Sequence, residues 1–132
     1  MNGRYSKTGR VRPVGGGFEL TVWYLMRLTG LALFVLVLSH YLILHVLFDP
    51  AEQDSSWIAE VRWSSTFWRA YDWLMLTLVL FHAIMGMRVV LSDYLNGRGR
   101  AVALSLLYLV GIALFAMGTI VVFTLVNVIP GA

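Results

Sequence analysis

His82 stands in the middle of a long apolar run, Gly86 follows one helical turn later, and Asp93-Tyr94 closes the segment. Ionisable groups inside a bilayer are costly and mark functional sites by default. In a chain without cysteine, an imidazole at that depth suits a haem iron or a proton relay. At about 100° per residue, His82, Gly86, Val89 and Asp93 share one helix face, with Met75 lining up earlier on it. A glycine beside the imidazole gives a flat macrocycle room to approach the backbone. The same pair also suits a packing histidine whose glycine neighbour seats a second helix. Asp93-Tyr94 lies about 17 Å beyond His82 along the axis, from the helical rise. A phenol at that level can donate to a quinone carbonyl, and a carboxylate or guanidinium beside it can orient the donor and carry protons. Arg88 and Arg27 are the basic residues placed for this. The plainer reading is an interfacial tyrosine next to a helix-end aspartate.

The elements that must position these groups are membrane helices. A chain of 132 residues that is 59% hydrophobic, with mean hydropathy +0.77, is too apolar for a water-soluble domain of that size. Spans are expected over about residues 21–48, 67–91 and 101–128, each longer than the roughly 20 residues that cross hydrocarbon. The fold class is therefore all-α and integral to the membrane, with three transmembrane helices. An arm of residues 1–20 precedes a membrane domain of residues 21–132.

Charge orients it. Arg4, Lys7, Arg10 and Arg12 lie in the arm, and Arg98 and Arg100 follow the second span, with Arg88 just inside its end. The opposite connection sets Arg62 and Arg69 against Asp49, Glu52, Asp54 and Glu60. The positive-inside rule then makes the N-terminus cytoplasmic and the C-terminus exported, in the inner (cytoplasmic) membrane. The net charge of +3 reflects that bias and calls for membrane lipid, not nucleic acid. The arm shows no small-residue cleavage site before the long span and is expected to stay on. Gly15-Gly16-Gly17 follows no strand and lacks the G-x-G-x-x-G spacing, so it reads as a linker. The absence of cysteine excludes thiolate-held iron–sulfur clusters within this chain.

Local signals mark the ends. Asp49-Pro50 stops the first span. Ser55-Ser56 and Ser64-Ser65-Thr66 are placed to cap a short interfacial helix and the second span. Trp57, Trp63, Trp68, Tyr71 and Trp73 read as an aromatic belt on the exported side, with Trp23 and Tyr24 as the cytoplasmic counterpart. Asp72 is expected to pair with Arg69 three residues back. Gly111 and Gly118, seven apart on the third span, mark a close helix contact.

The run from His82 to Tyr94, HAIMGMRVVLSDY, resembles the H-x-x-x-G-x-x-x-x-x-x-D-Y segment of the smaller hydrophobic membrane anchor of succinate dehydrogenase, respiratory complex II. Its place on the second of three helices matches. Arg27 with Thr29-Gly30, and the stretch from Arg62-Trp63 to Trp68, are similar to actinobacterial-type versions, so the resemblance covers nearly the whole chain. It implies that His82 ligates haem b jointly with a histidine of a second membrane anchor subunit. It implies that Tyr94, supported by Asp93, hydrogen-bonds ubiquinone or menaquinone. FAD and the iron–sulfur clusters would belong to two soluble partners, a flavoprotein subunit and an iron–sulfur subunit, both docked on the cytoplasmic side, so the chain alone is not the enzyme.

His40 departs from family versions that have no histidine in the first span. It lies roughly 10 Å further toward the exported side than His82 by helical rise, so it would serve a second haem or make an interhelical hydrogen bond. His45 lies about 140° round from His40 and reads as a snorkelling or loop-bonded imidazole. Two other classes stand beside this reading. One is a haem-free structural and quinone-binding anchor of a fumarate reductase-like complex, against which His82 argues. The other is a small proton-relay transporter subunit, which calls for more intramembrane carboxylates than the chain offers.

Overall fold

A computed structural model describes residues 17–128. The basic arm and the last residues, on which part of the orientation argument and the Gly15-Gly16 linker rest, lie outside the described residues. Helix α1 (Phe18–Leu42) continues through a widened π turn at Ile43–Leu47. Phe48 then turns extended, and Asp49 accepts from the Ala51 amide to start a single 3-10 turn at Pro50–Glu52. Thus Asp49-Pro50 ends the span as the dihedral restriction of proline requires. Helix α2 (Ser55–Trp57) runs into a second π turn at Ile58–Arg62. Its cap is Asp54 rather than a serine: the carboxylate accepts from the Trp57 amide and from the Ser56 hydroxyl. Those contacts, the hydroxyl first, hold the Asp54 carboxyl below its ordinary range. Ser65 caps α3 (Thr66–Tyr94), accepting from the Phe67 amide. After two connecting residues Gly97, at φ +55°, opens α4 (Gly97–Val128).

All three long helices are long and apolar enough to cross a membrane. They stand in a row, with α1 and α4 packed on opposite flanks of α3. Among the described residues only Val22, Ala59 and Val122 are buried apolar residues, while large side chains such as Leu31, Phe34 and Ile112 point outward. Burial from water therefore cannot hold the helices together. In lipid, association rests on close packing and on interhelical hydrogen bonds, each worth about 0.6 kcal/mol on average.

Both devices are present. An ideal Cβ on Gly118 would sit 2.6 Å from the Leu76 side chain, and one on Gly111 would collide with Ile84. Gly111 and Gly118 are thus the floor of the α3 contact expected for them. Trp73 Nε1 donates to Thr119 Oγ1 across the same seam at 3.1 Å. On the other flank, the Tyr71 hydroxyl donates to the Leu36 carbonyl at 2.7 Å and meets Ser39 Oγ at 2.6 Å. Tyr71 and Trp73 therefore pin helices, a tertiary role that the expected belt did not include. Gly111→Val is expected to lower stability by about 1–3 kcal/mol through overpacking, read as a lower midpoint in thermal unfolding of the detergent-solubilised protein.

Candidate functional site

His82 points at α1, away from the glycine seam. Its Nδ1 lies 2.9 Å from Thr29 Oγ1. Thr29 is 4% exposed, and its hydroxyl also reaches the Met26 carbonyl at 3.4 Å. The neighbouring Gly30 lies against the imidazole: a Cβ there would stand 3.4 Å from His82 Cε1, an ordinary contact. One turn along α3, Gly86 is met by the methyl end of Met26. The imidazole thus lies against the Thr29-Gly30 pair of α1, while the space at Gly86, expected beside the ring, is met by Met26.

Beyond Met26 a cavity of about 450 Å³ opens between α1 and α3, lined by Val22, Trp23, Arg27, Gly86, Arg88 and Val89 among others. Arg27 and Arg88, named from sequence as basic candidates, are brought together there. Arg88 is held by a two-point ion pair with Glu19. Arg27 lies over the Trp23 ring, its guanidinium carbon 3.5 Å from the centroid. That stacking gives Trp23 a specific task beyond the interfacial one read for it. Glu19 escapes sequence reasoning because it contacts a residue 69 positions away. Asp93 continues the Gly86–Val89 face one turn past the cavity, and Tyr94, the last residue of α3, is 83% exposed. Neither lines the cavity. In this chain the phenol faces outward from the helix row, where a neighbouring subunit would have to complete any pocket around it.

The second histidine has a different setting. His40 Nδ1 lies 3.2 Å from Asp72 Oδ1. Asp72 does not pair with Arg69, whose Nη2 reaches Thr66 Oγ1 instead. It receives Arg62 Nη2 at 2.8 Å and Nε at 3.0 Å, and Trp63 Nε1 at 2.9 Å. The helix-surface pairing loses because the π turn at Ile58–Arg62 swings Arg62 back over α3, where a planar guanidinium grips both carboxylate oxygens. Arg62 is 5% exposed and stacks on the Trp68 ring at 4.1 Å. Asp72 precedes His82 by ten residues, which puts His40 about 15 Å from His82 along α3, somewhat further than expected. His45 stacks on Tyr41, ring centroids 4.4 Å apart, with Nδ1 3.2 Å from the Tyr41 carbonyl, a partner on its own helix where a loop partner was expected.

Among the described residues no cluster of three or more His, Cys, Asp and Glu side chains is placed to hold a metal ion. A metal at His82 would therefore need a prosthetic group or a partner to supply its remaining ligands. These features define a helical membrane protein of three spans built around an interior, hydrogen-bonded histidine.

The model of the succinate dehydrogenase/fumarate reductase transmembrane subunit family matches residues 4–126, and the chain belongs to that family. It is a membrane-anchor subunit. No curated protein matches the chain.

Proposed function

We propose that this chain binds haem b through His82 and forms part of the quinone site of a succinate:quinone oxidoreductase. The observation that carries the reading is the seating of His82. One ring nitrogen, Nδ1, is engaged by Thr29, which leaves Nε2 for an iron, and the ring edge lies against Gly30. Metal-ligating histidines are held in this way, with the distal nitrogen hydrogen-bonded to fix ring orientation. His82 would hold the haem together with a histidine of a second membrane anchor. The group would supply one-electron storage near the quinone.

The remaining work belongs to side chains of this chain. The cavity walls Val22, Met26 and Val89 exclude water, while Arg27 and Arg88 offer donors to an oxygen-bearing head group. Tyr94 donates a hydrogen bond to a quinone carbonyl and Asp93 handles protons on the same helix end. Reduction of a quinone to the quinol consumes two electrons and two protons, so these groups must lie near the membrane surface. FAD and the clusters sit on flavoprotein and iron–sulfur subunits docked at this end. Arg88, Arg98 and Arg100 make it the cytoplasmic end, and the opposite connection with Asp49, Glu52, Asp54 and Glu60 is exported.

A second reading concerns haem number. His40 Nδ1 rests on the Asp72 carboxylate, the carboxylate–histidine arrangement of metal ligands, and its distance from His82 requires a separate iron. The test is haem counted per flavin in the purified complex by the pyridine haemochrome spectrum. One haem supports His82 alone, two support His40 as well, and none overturns the haem assignment. For the quinone site, Tyr94→Phe is expected to raise KM for a short-chain quinone about 5–10-fold, the loss of one hydrogen bond. Haem content stays unchanged.

A further inference from the structure

Asp72, inside the helix row, is saturated by Arg62, Trp63 and His40, and Arg88 is paired with the exposed Glu19. The contact between Thr29 and His82 is different, because it leaves a choice. Imidazole Nδ1 can donate to the hydroxyl or accept from it, and the hydroxyl has a second acceptor within reach, the carbonyl of Met26. A threonine in a helix ordinarily donates to a carbonyl three or four residues back. With its proton so directed, Thr29 Oγ1 presents a lone pair to Nδ1. The proton of the neutral ring then sits on Nδ1, and the lone pair is on Nε2.

We propose that Thr29 is the positioning residue of His82: its hydroxyl, turned toward Met26, accepts from Nδ1–H, fixes the tautomer that frees Nε2, and sets the electron-donating strength of the imidazole. The proposal rests on the haem reading given above. A hydrogen bond accepted from Nδ1–H makes the imidazole a more basic ligand, which favours the oxidised iron and lowers its midpoint potential. Gly30 lies against the same ring, where a Cβ would stand 3.4 Å from Cε1, an ordinary contact. The apolar surroundings sharpen the effect, since no water competes for Nδ1 in the bilayer interior.

The test uses the whole complex with Thr29→Val, Thr29→Ser and His82→Ala, read by haem per flavin, redox titration of the haem band, and haem loss to apomyoglobin. Thr29→Val is expected to retain haem with a raised midpoint potential and to release it about 10–100-fold faster, the usual cost of removing such a partner. Thr29→Ser restores the wild-type potential. Thr29→Ala, which removes the hydroxyl without crowding the ring, takes the place of Thr29→Val where the valine prevents assembly. An unchanged potential in both hydroxyl-free variants overturns the role of Thr29 while the haem assignment stands. A wild-type complex without haem, or one in which His82→Ala keeps its full haem, overturns both.

Discussion

The complex carrying His82→Ala is expected to assemble with its flavin intact and to lose the b-type absorbance, wholly if one haem is bound and by about half if His40 serves another. The expectation follows from the seat of the imidazole. Thr29 and Gly30 on α1 hold the ring at a fixed place, so no other side chain of α3 can substitute as ligand. The helix itself should survive, because alanine is the strongest helix former and the lost interhelical bond is worth about 0.6 kcal/mol on average. The haemochrome spectrum per flavin, with size-exclusion chromatography to show assembly, separates the two effects. A complex that keeps all its haem would sink the assignment.

The second large effect is on stability, and its site is Asp72. Asp72→Ala leaves the guanidinium of Arg62, 5% exposed, without its carboxylate. Removing one partner of a buried pair costs about 3–5 kcal/mol because the other charge stays desolvated. Trp63 Nε1 and His40 Nδ1 lose their acceptor at the same time. Asp72→Ala is therefore expected to give little folded complex and a sharply lowered unfolding midpoint. Arg69→Ala, which touches no carboxylate of the cluster, should change that midpoint little. The reverse pattern would restore the helix-surface pairing of Arg69 with Asp72. The double replacement Arg62→Met with Asp72→Leu should recover much of the loss, since a buried ion pair exchanged for apolar residues of similar volume is often neutral.

The contrast between these two sites shows what can be read without a structure. Hydropathy and length give the three spans because the bilayer demands about 20 apolar residues in a row. An isolated imidazole inside one of them is conspicuous for the same reason. Gly111 and Gly118 are legible as a seam, since a repeat of small residues serves close approach. The carboxylate at Asp72 is equally conspicuous, yet sequence assigns it the wrong partner. Local geometry favours Arg69 at three residues' distance. The winning contact depends on a π turn at Ile58–Arg62, which no propensity signals. Glu19 with Arg88, and Trp73 with Thr119, are beyond sequence reasoning for a simpler reason: neither helix alone specifies which of its faces meets the other. Thr29 lies between these cases. It stands in a motif beside Arg27, but nothing in one helix reveals that its hydroxyl is spent on a ring 53 residues later.

The row arrangement, with α1 and α4 on opposite flanks of α3, fixes an order of events during synthesis. As the chain leaves the ribosome, the imidazole seat is complete once α3 enters the bilayer beside α1. The last helix joins afterward from the far flank and covers none of it. The seat of His82 is thus the work of two helices, and α4 adds its packing from the opposite side of α3.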